Sequence, residues 1–247
     1  MKHCLVFLLL HIAVLPVCCL AQIQGAGNVK INIKATFNGK PLNTTQPFVS
    51  PHGDTFYVDA FRFYISNISF IGYPSQILTN NHLFDLDDSG SYSFAISVSP
   101  GDYDLLKFTL GVDSIANTNG ANSGDLDPSK GMYWAWNSGY IMAKLEGHSS
   151  ACKTLHHAFE FHIGGYLPPY NTARPVTLNT PEKIQVSKRD VPCITLTADI
   201  ASWFTPDLDL SKINSIMIPG KDAAMMADRY SKMISIENIT YLSPVRR

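Results

Sequence analysis

Phe61-Arg62-Phe63-Tyr64-Ile65-Ser66-Asn67-Ile68-Ser69-Phe70 decides how the rest of the chain is read. Apolar side chains fall at Phe61, Phe63 and Ile65, then again at Ile68 and Phe70. Spacing of two places these groups on one face of a strand, because successive strand side chains point to opposite faces. A long strand is expected over Thr55–Ile71, broken by a bulge or bend. The same alternation recurs outward. Val29–Phe37 sets Ile31, Ile33 and Ala35 on one face, and Ser91–Val98 and Tyr103–Val112 flank the turn residues Pro100-Gly101-Asp102. Further strands are expected at Tyr133–Leu145, Ala158–Ile163, Pro175–Leu178, Ile184–Val186, Ile194–Asp199 and Ile213–Ile218. Helix is scarce: Lys221–Met233, rich in Ala and Met, is the best candidate, with a helical turn at Ser202-Trp203-Phe204 and a closing strand at Ile234–Tyr241. This pattern predicts a mainly β chain, an antiparallel β-sandwich or barrel-like single domain with one short C-terminal helix.

Residues 1–21 read as a secretory signal rather than fold: Lys2 and His3 precede the apolar run Cys4–Val17, and Cys19-Leu20-Ala21 supplies small residues for cleavage. Lipid anchoring through Cys18 ranks second, since Val17 is bulky for that role. The remaining residues, 22–247, form the single expected domain, outside the cytoplasm and without a membrane-spanning segment. Signal removal leaves Cys152 and Cys193, and an exported chain with one such pair predicts a disulfide between them. A thiolate metal site is the rival use. The net charge of -1, with 16% charged residues, argues against nucleic acid or an anionic membrane as partner.

Several residues could carry chemistry. Gly131-Met132-Tyr133-Trp134-Ala135-Trp136 holds two of the three tryptophans. On a regular strand Met132, Trp134 and Trp136 share a face, either as core or as something more specific. Six histidines follow residue 21: His52, His82, His148, His156, His157 and His162. An extended chain would place His156, Glu160 and His162 together, and Gly164-Gly165 would allow close approach beside them. His52 and His148 lie in turn-like contexts and are expected in solvent. Asp113, Asp125 and Asp127 around the polar loop Asn117–Lys130 could hold calcium, although turn chemistry is the simpler use of these residues. Nucleophile elbows, phosphate loops and zinc-helix motifs are all missing, so a binding role is expected rather than catalysis.

Six blocks, in order, resemble the MbnP-like copper-binding family. They are Phe61–Ile68, His82-Leu83-Phe84-Asp85, Phe108–Ser114, Gly131–Ile141, Phe159–Gly165 and Ala223–Tyr230, within a likeness spanning about residues 29 to 240. The resemblance implies a secreted or periplasmic protein that holds copper through two histidines and a kynurenine made by oxidising a tryptophan. It also implies a dihaem peroxidase-like partner as the oxidant. Transferred to this sequence, the ligand set is His82, His162 and Trp134 or Trp136, with Met132 as a soft thioether donor. Trp134 is favoured of the two rings because it lies nearer Met132. An intact indole has no in-plane lone pair, whereas the opened ring exposes an aniline nitrogen and a ketone. The sequence departs from the family pattern at Met217-Ile218-Pro219-Gly220 and Ile236-Glu237-Asn238, where relatives carry histidines. The alternative reading is an extracellular adhesion or glycan-binding sandwich without metal, using Trp134, Trp136 and Tyr140 as core or as a stacking platform.

Overall fold

The computed structural model describes residues 27–136 and 139–242; the expected signal and Cys18 lie outside them. The long strands are β1 (Gly27–Phe37), β2 (Thr55–Tyr73), β3 (Asn81–Asp85), β4 (Ser93–Val98), β5 (Gly101–Leu110), β6 (Gly139–Ser149), β7 (Ala158–Gly164), β8 (Arg174–Val186), β9 (Val191–Asp199) and β10 (Ile234–Leu242). They form two open sheets, a sandwich-like arrangement rather than a barrel. One sheet runs β10-β9-β1, with β4 also on β1. The other runs β8-β5-β2-β6-β7, with β3 also on β2. Pairing is mostly antiparallel, but β1 and β9 run parallel from Lys30↔Cys193 to Thr36↔Asp199, so the sheets are mixed.

The expected strand at Thr55–Ile71 is the spine of the larger sheet, and its irregularities fall where apolar spacing slips. Register shifts at Ser66/Ser69, where Asn67 takes φ 52, and its side chain donates to Asp113 Oδ2 at 2.9 Å. Asn tolerates this left-handed backbone better than most residues. Aromatic packing joins the sheets: Phe37 of β1 meets Phe56 of β2 at 5.3 Å, and Phe56 stacks on Phe204 at 4.4 Å. The C-terminal helix is α2 (Lys221–Tyr230), shorter than expected, and buries Ala223, Met226, Ala227 and Tyr230 at helical spacing. A second helix, α1 (Ser114–Thr118), starts where Asp113 Oδ1 accepts from Ala116 N at 2.8 Å.

Three expectations of local structure fail for identifiable reasons. Tyr133–Leu145 is not one strand: Tyr133–Trp134 is a two-residue strand that folds back on β6, pairing Trp134 with Gly139. Pro175–Leu178 and Ile184–Val186 are one strand, β8, with a register shift between them. The Cys152–Cys193 disulfide is absent. Both are unbridged, buried thiols. Cys193 lies in the β1–β9 ladder, accepting from Asn32 Nδ2 at 3.0 Å, whereas Cys152 Sγ faces Leu210 O at 3.5 Å. Cys152 packs into the apolar core as a small hydrophobe does, whereas Cys193 lies at a separate position beside the Asn32 amide.

Candidate functional site

The register places four polar side chains in a row across the outer face of the larger sheet. Asp85 of β3 pairs with Arg62, Arg62 with Lys144 of β6, and Lys144 with His162 of β7. Arg62 Nε stands 2.8 Å from Asp85 Oδ2, an ion pair without hydrogen-bond alignment. Glu146, two residues beyond Lys144, turns its carboxylate between Lys144 and His162. His162 Nε2 lies 2.5 Å and Lys144 Nζ 3.0 Å from Glu146 Oε1. The His162 hydrogen bond, helped by Lys144, holds the Glu146 carboxyl down at about 2 against the opposing effect of burial. With Nε2 donating to a carboxylate, His162 presents Nδ1 as its lone-pair nitrogen. That tautomer and orientation are what a carboxylate–histidine pair imposes on a metal-ligating imidazole. Nδ1 has no hydrogen-bond partner among the described residues.

The tryptophan segment is carried onto the same face. Arg62 Nη1 donates to Lys130 O at 3.3 Å, and Ile141 N donates to Met132 O at 2.9 Å, folding residues 130–134 against β2 and β6. His162 and Gly164 are two apart on a regular strand and share a face. The Trp134 ring stands over Gly164 so closely that an added Cβ would meet Cζ3 at 2.5 Å. Trp134 is 6% exposed and lies one ring away from Trp136, at 5.3 Å, which is 63% exposed. The expected common face therefore fails for Trp136. The strand ends at Trp134, so one ring packs and the other faces solvent. Met132 is fully buried in the apolar core.

His82 is elsewhere. It pairs with Ile65, three residues from Asp85 on β3, and so points to the opposite face from the Asp85–His162 row. The ladder β3-β2-β6-β7 also puts about 14 Å between the two histidine strands. Ligand atoms around one ion lie about 4 Å apart, so His82 and His162 do not converge on a single metal. Both His82 nitrogens face acceptors, Nε2 with Ser91 O at 2.7 Å and Nδ1 with Asp125 Oδ2 at 3.4 Å, and the ring stacks on Phe94 at 4.0 Å. That is a structural histidine, with both ring nitrogens already turned to neighbouring groups.

The other expectations resolve through local geometry. His156 and His157 adopt φ 57 and 56, so the backbone turns before β7 and His156 does not align with Glu160 and His162. Asp125 accepts from Leu83 N at 3.1 Å and is held in its charged form first by His82. Asp127 Oδ1 accepts from Ser129 N at 2.8 Å, and Asp113 caps α1. Asp113 and Asp127 thus cap helical turns and Asp125 ties its loop to β3, and the three do not gather into one ligand cluster among the described residues. The role of Glu146 toward His162 is not legible in the sequence, because only the β6–β7 register brings the two together.

A sequence model of MbnP matches residues 26–218, most of the chain. The chain belongs to the MbnP family. Among solved structures, MbnP from Methylosinus trichosporium is similar at 15% identity and a TM-score of 0.47, over 69% of this chain and 76% of that one. No curated protein matches. Within this MbnP-family chain, His162, Glu146 and Trp134 are the candidate residues that the fold brings together.

Proposed function

We propose that this chain is an exported copper-binding protein acting in copper acquisition, storage or handover, and that its copper face is built around His162 and Trp134. The reading is carried by one observation: Glu146 takes Nε2 of His162 and leaves Nδ1 unpartnered on the face that Trp134 covers. Family membership over residues 26–218 supports the choice of ion. Imidazole suits either oxidation state of copper. Trp134 becomes a donor only if its ring is opened to kynurenine by an external oxidant of the haem peroxidase class. Without that step, His162 is the only ligand of the expected set poised to bind on this face.

Titration of the purified chain with Cu(I) under reducing conditions tests the assignment. His162→Ala should abolish stoichiometric binding, whereas His82→Ala should retain it and lower stability. Loss of copper in His82→Ala with retention in His162→Ala would reverse the assignment. Peptide mass spectrometry on protein from the native host reads the state of Trp134 directly.

A second reading, an adhesive or glycan-binding sandwich, draws on a separate observation. Trp136 (63%), Leu167 (62%) and Tyr170 (42%) are unusually exposed for such side chains. Sugar binding that is lost in Trp136→Ala while copper binding is absent from the wild-type chain would favour it.

A further inference from the structure

We propose that His52, Asp54 and Asp209 form a second metal site, a divalent transition-ion staple best matched to Zn2+, on a part of the molecule separate from the His162 face. This proposal does not depend on the copper reading. One ligand atom from each of the three side chains lies within 4.8 Å of the others. Ligand atoms at about 2.0–2.2 Å from one tetrahedral ion stand about 3.4 Å apart, so side-chain adjustments of about 1–1.5 Å close the set.

The fold holds two of the three donors firmly. His52 and Asp54 sit in the turn that leads into β2. Ser50 N donates to Asp54 O, Gly53 N to Ser50 O, and Asp54 N to Ser50 Oγ. Gly53 supplies the φ of 103 that this turn requires. Asp209 lies between Leu208 and Leu210, both fully buried, which pins its backbone. Leu210 N reaches Asp54 Oδ2 at 3.3 Å, so the two segments already touch across a separation of 156 residues. Their side chains are only 12% (Asp54) and 17% (Asp209) exposed.

Charge in the cluster is incompletely matched. His52 Nδ1 lies 3.2 Å from Asp54 Oδ2, and Asp54 Oδ1 has no donor among the described residues. Asp209 Oδ2 is met by Lys212 Nζ at 2.8 Å, from a side chain 78% exposed that an incoming ion can displace into solvent. An imidazole with two carboxylates is a borderline donor set. It favours Zn2+ over Mg2+ or Ca2+, which take oxygen ligands, and over Cu(I), which prefers softer sulfur. Water would complete the coordination. Bound there, the ion would tie the turn before β2 to the loop around Asp209 and stabilise the folded state by mass action.

Calorimetric titration of the chelator-treated full chain with Zn2+ alone tests this, run in the His162→Ala variant so that the sheet-face imidazole cannot contribute. One zinc per chain is expected, with a rise in Tm. His52→Ala and Asp209→Asn should each weaken binding at least tenfold. Lys212→Ala should strengthen it, because the competitor for Asp209 is gone. His52 is exposed and its removal leaves the fold intact, so it reports even if Asp209→Asn unfolds. No zinc binding, unchanged affinity in His52→Ala, or weaker binding in Lys212→Ala would each overturn the site.

Discussion

The ring of Trp134 fills the space that a Cβ on Gly164 would need, with Cζ3 at 2.5 Å and Cη2 at 2.8 Å from that position. A glycine here is a packing requirement of the hairpin that carries the tryptophans. It sets where Trp134 sits relative to His162, two residues back along β7.

Gly164→Ala should therefore displace Trp134 and cost about 1–3 kcal/mol, the usual penalty for overpacking a filled core. Denaturant unfolding measures the loss, and the tryptophan emission should shift as Trp134 moves. Full wild-type stability in Gly164→Ala would show that the ring moves aside without strain.

The two tryptophans should respond differently to truncation. Trp134→Ala removes a ring with 6% exposure and should cost about 3–5 kcal/mol, whereas Trp136→Ala, at 63% exposure, should stay within about 0.5 kcal/mol. Iodide quenching gives an independent check: Trp136→Phe should remove most of the quenchable emission.

Cys152 and Cys193 should both react with a thiol reagent when the chain is unfolded without reductant. Native protein should label slowly, since both sulfurs are buried and burial, with Asp54 nearby, raises the Cys152 thiol further. Failure to label in the absence of reductant would restore the disulfide that an exported chain with two cysteines predicts.

Much of this architecture was legible in period-two alternation, because strands with one buried face must write it. Ile31 and Ile33 on β1, and Phe61 and Phe63 on β2, all lie in the core as that pattern requires. The parallel β1–β9 pairing was not legible, since both directions of pairing share the same alternation. The site divides the same way. His162 and Trp134 lie within conspicuous motifs, but Glu146 becomes a partner of His162 only through cross-strand register. His82 illustrates the converse. Its block fits the family, yet the three-residue step from Asp85 to His82 on β3 reverses its face, and Asp125, from a distant loop, engages its ring.

Glu146 gives the fold a measurable acid sensitivity. Its carboxyl is lowered from 4.5 to about 2, first by the His162 hydrogen bond and then by Lys144, while burial opposes both. A carboxyl lowered on folding stabilises the native state at pH values above its unfolded value. That contribution fades as pH falls from about 4.5 towards 2, where the native carboxylate takes its proton. Glu146→Gln keeps the shape and loses the charge. It should cost about 2 kcal/mol at pH 6, the scale of a hydrogen bond to a charged partner. The gap from wild type should narrow below pH 4.5 and close near pH 2. Urea unfolding of both proteins across that range reads the effect, and a gap that stays constant with pH would show that Glu146 acts on His162 by shape alone.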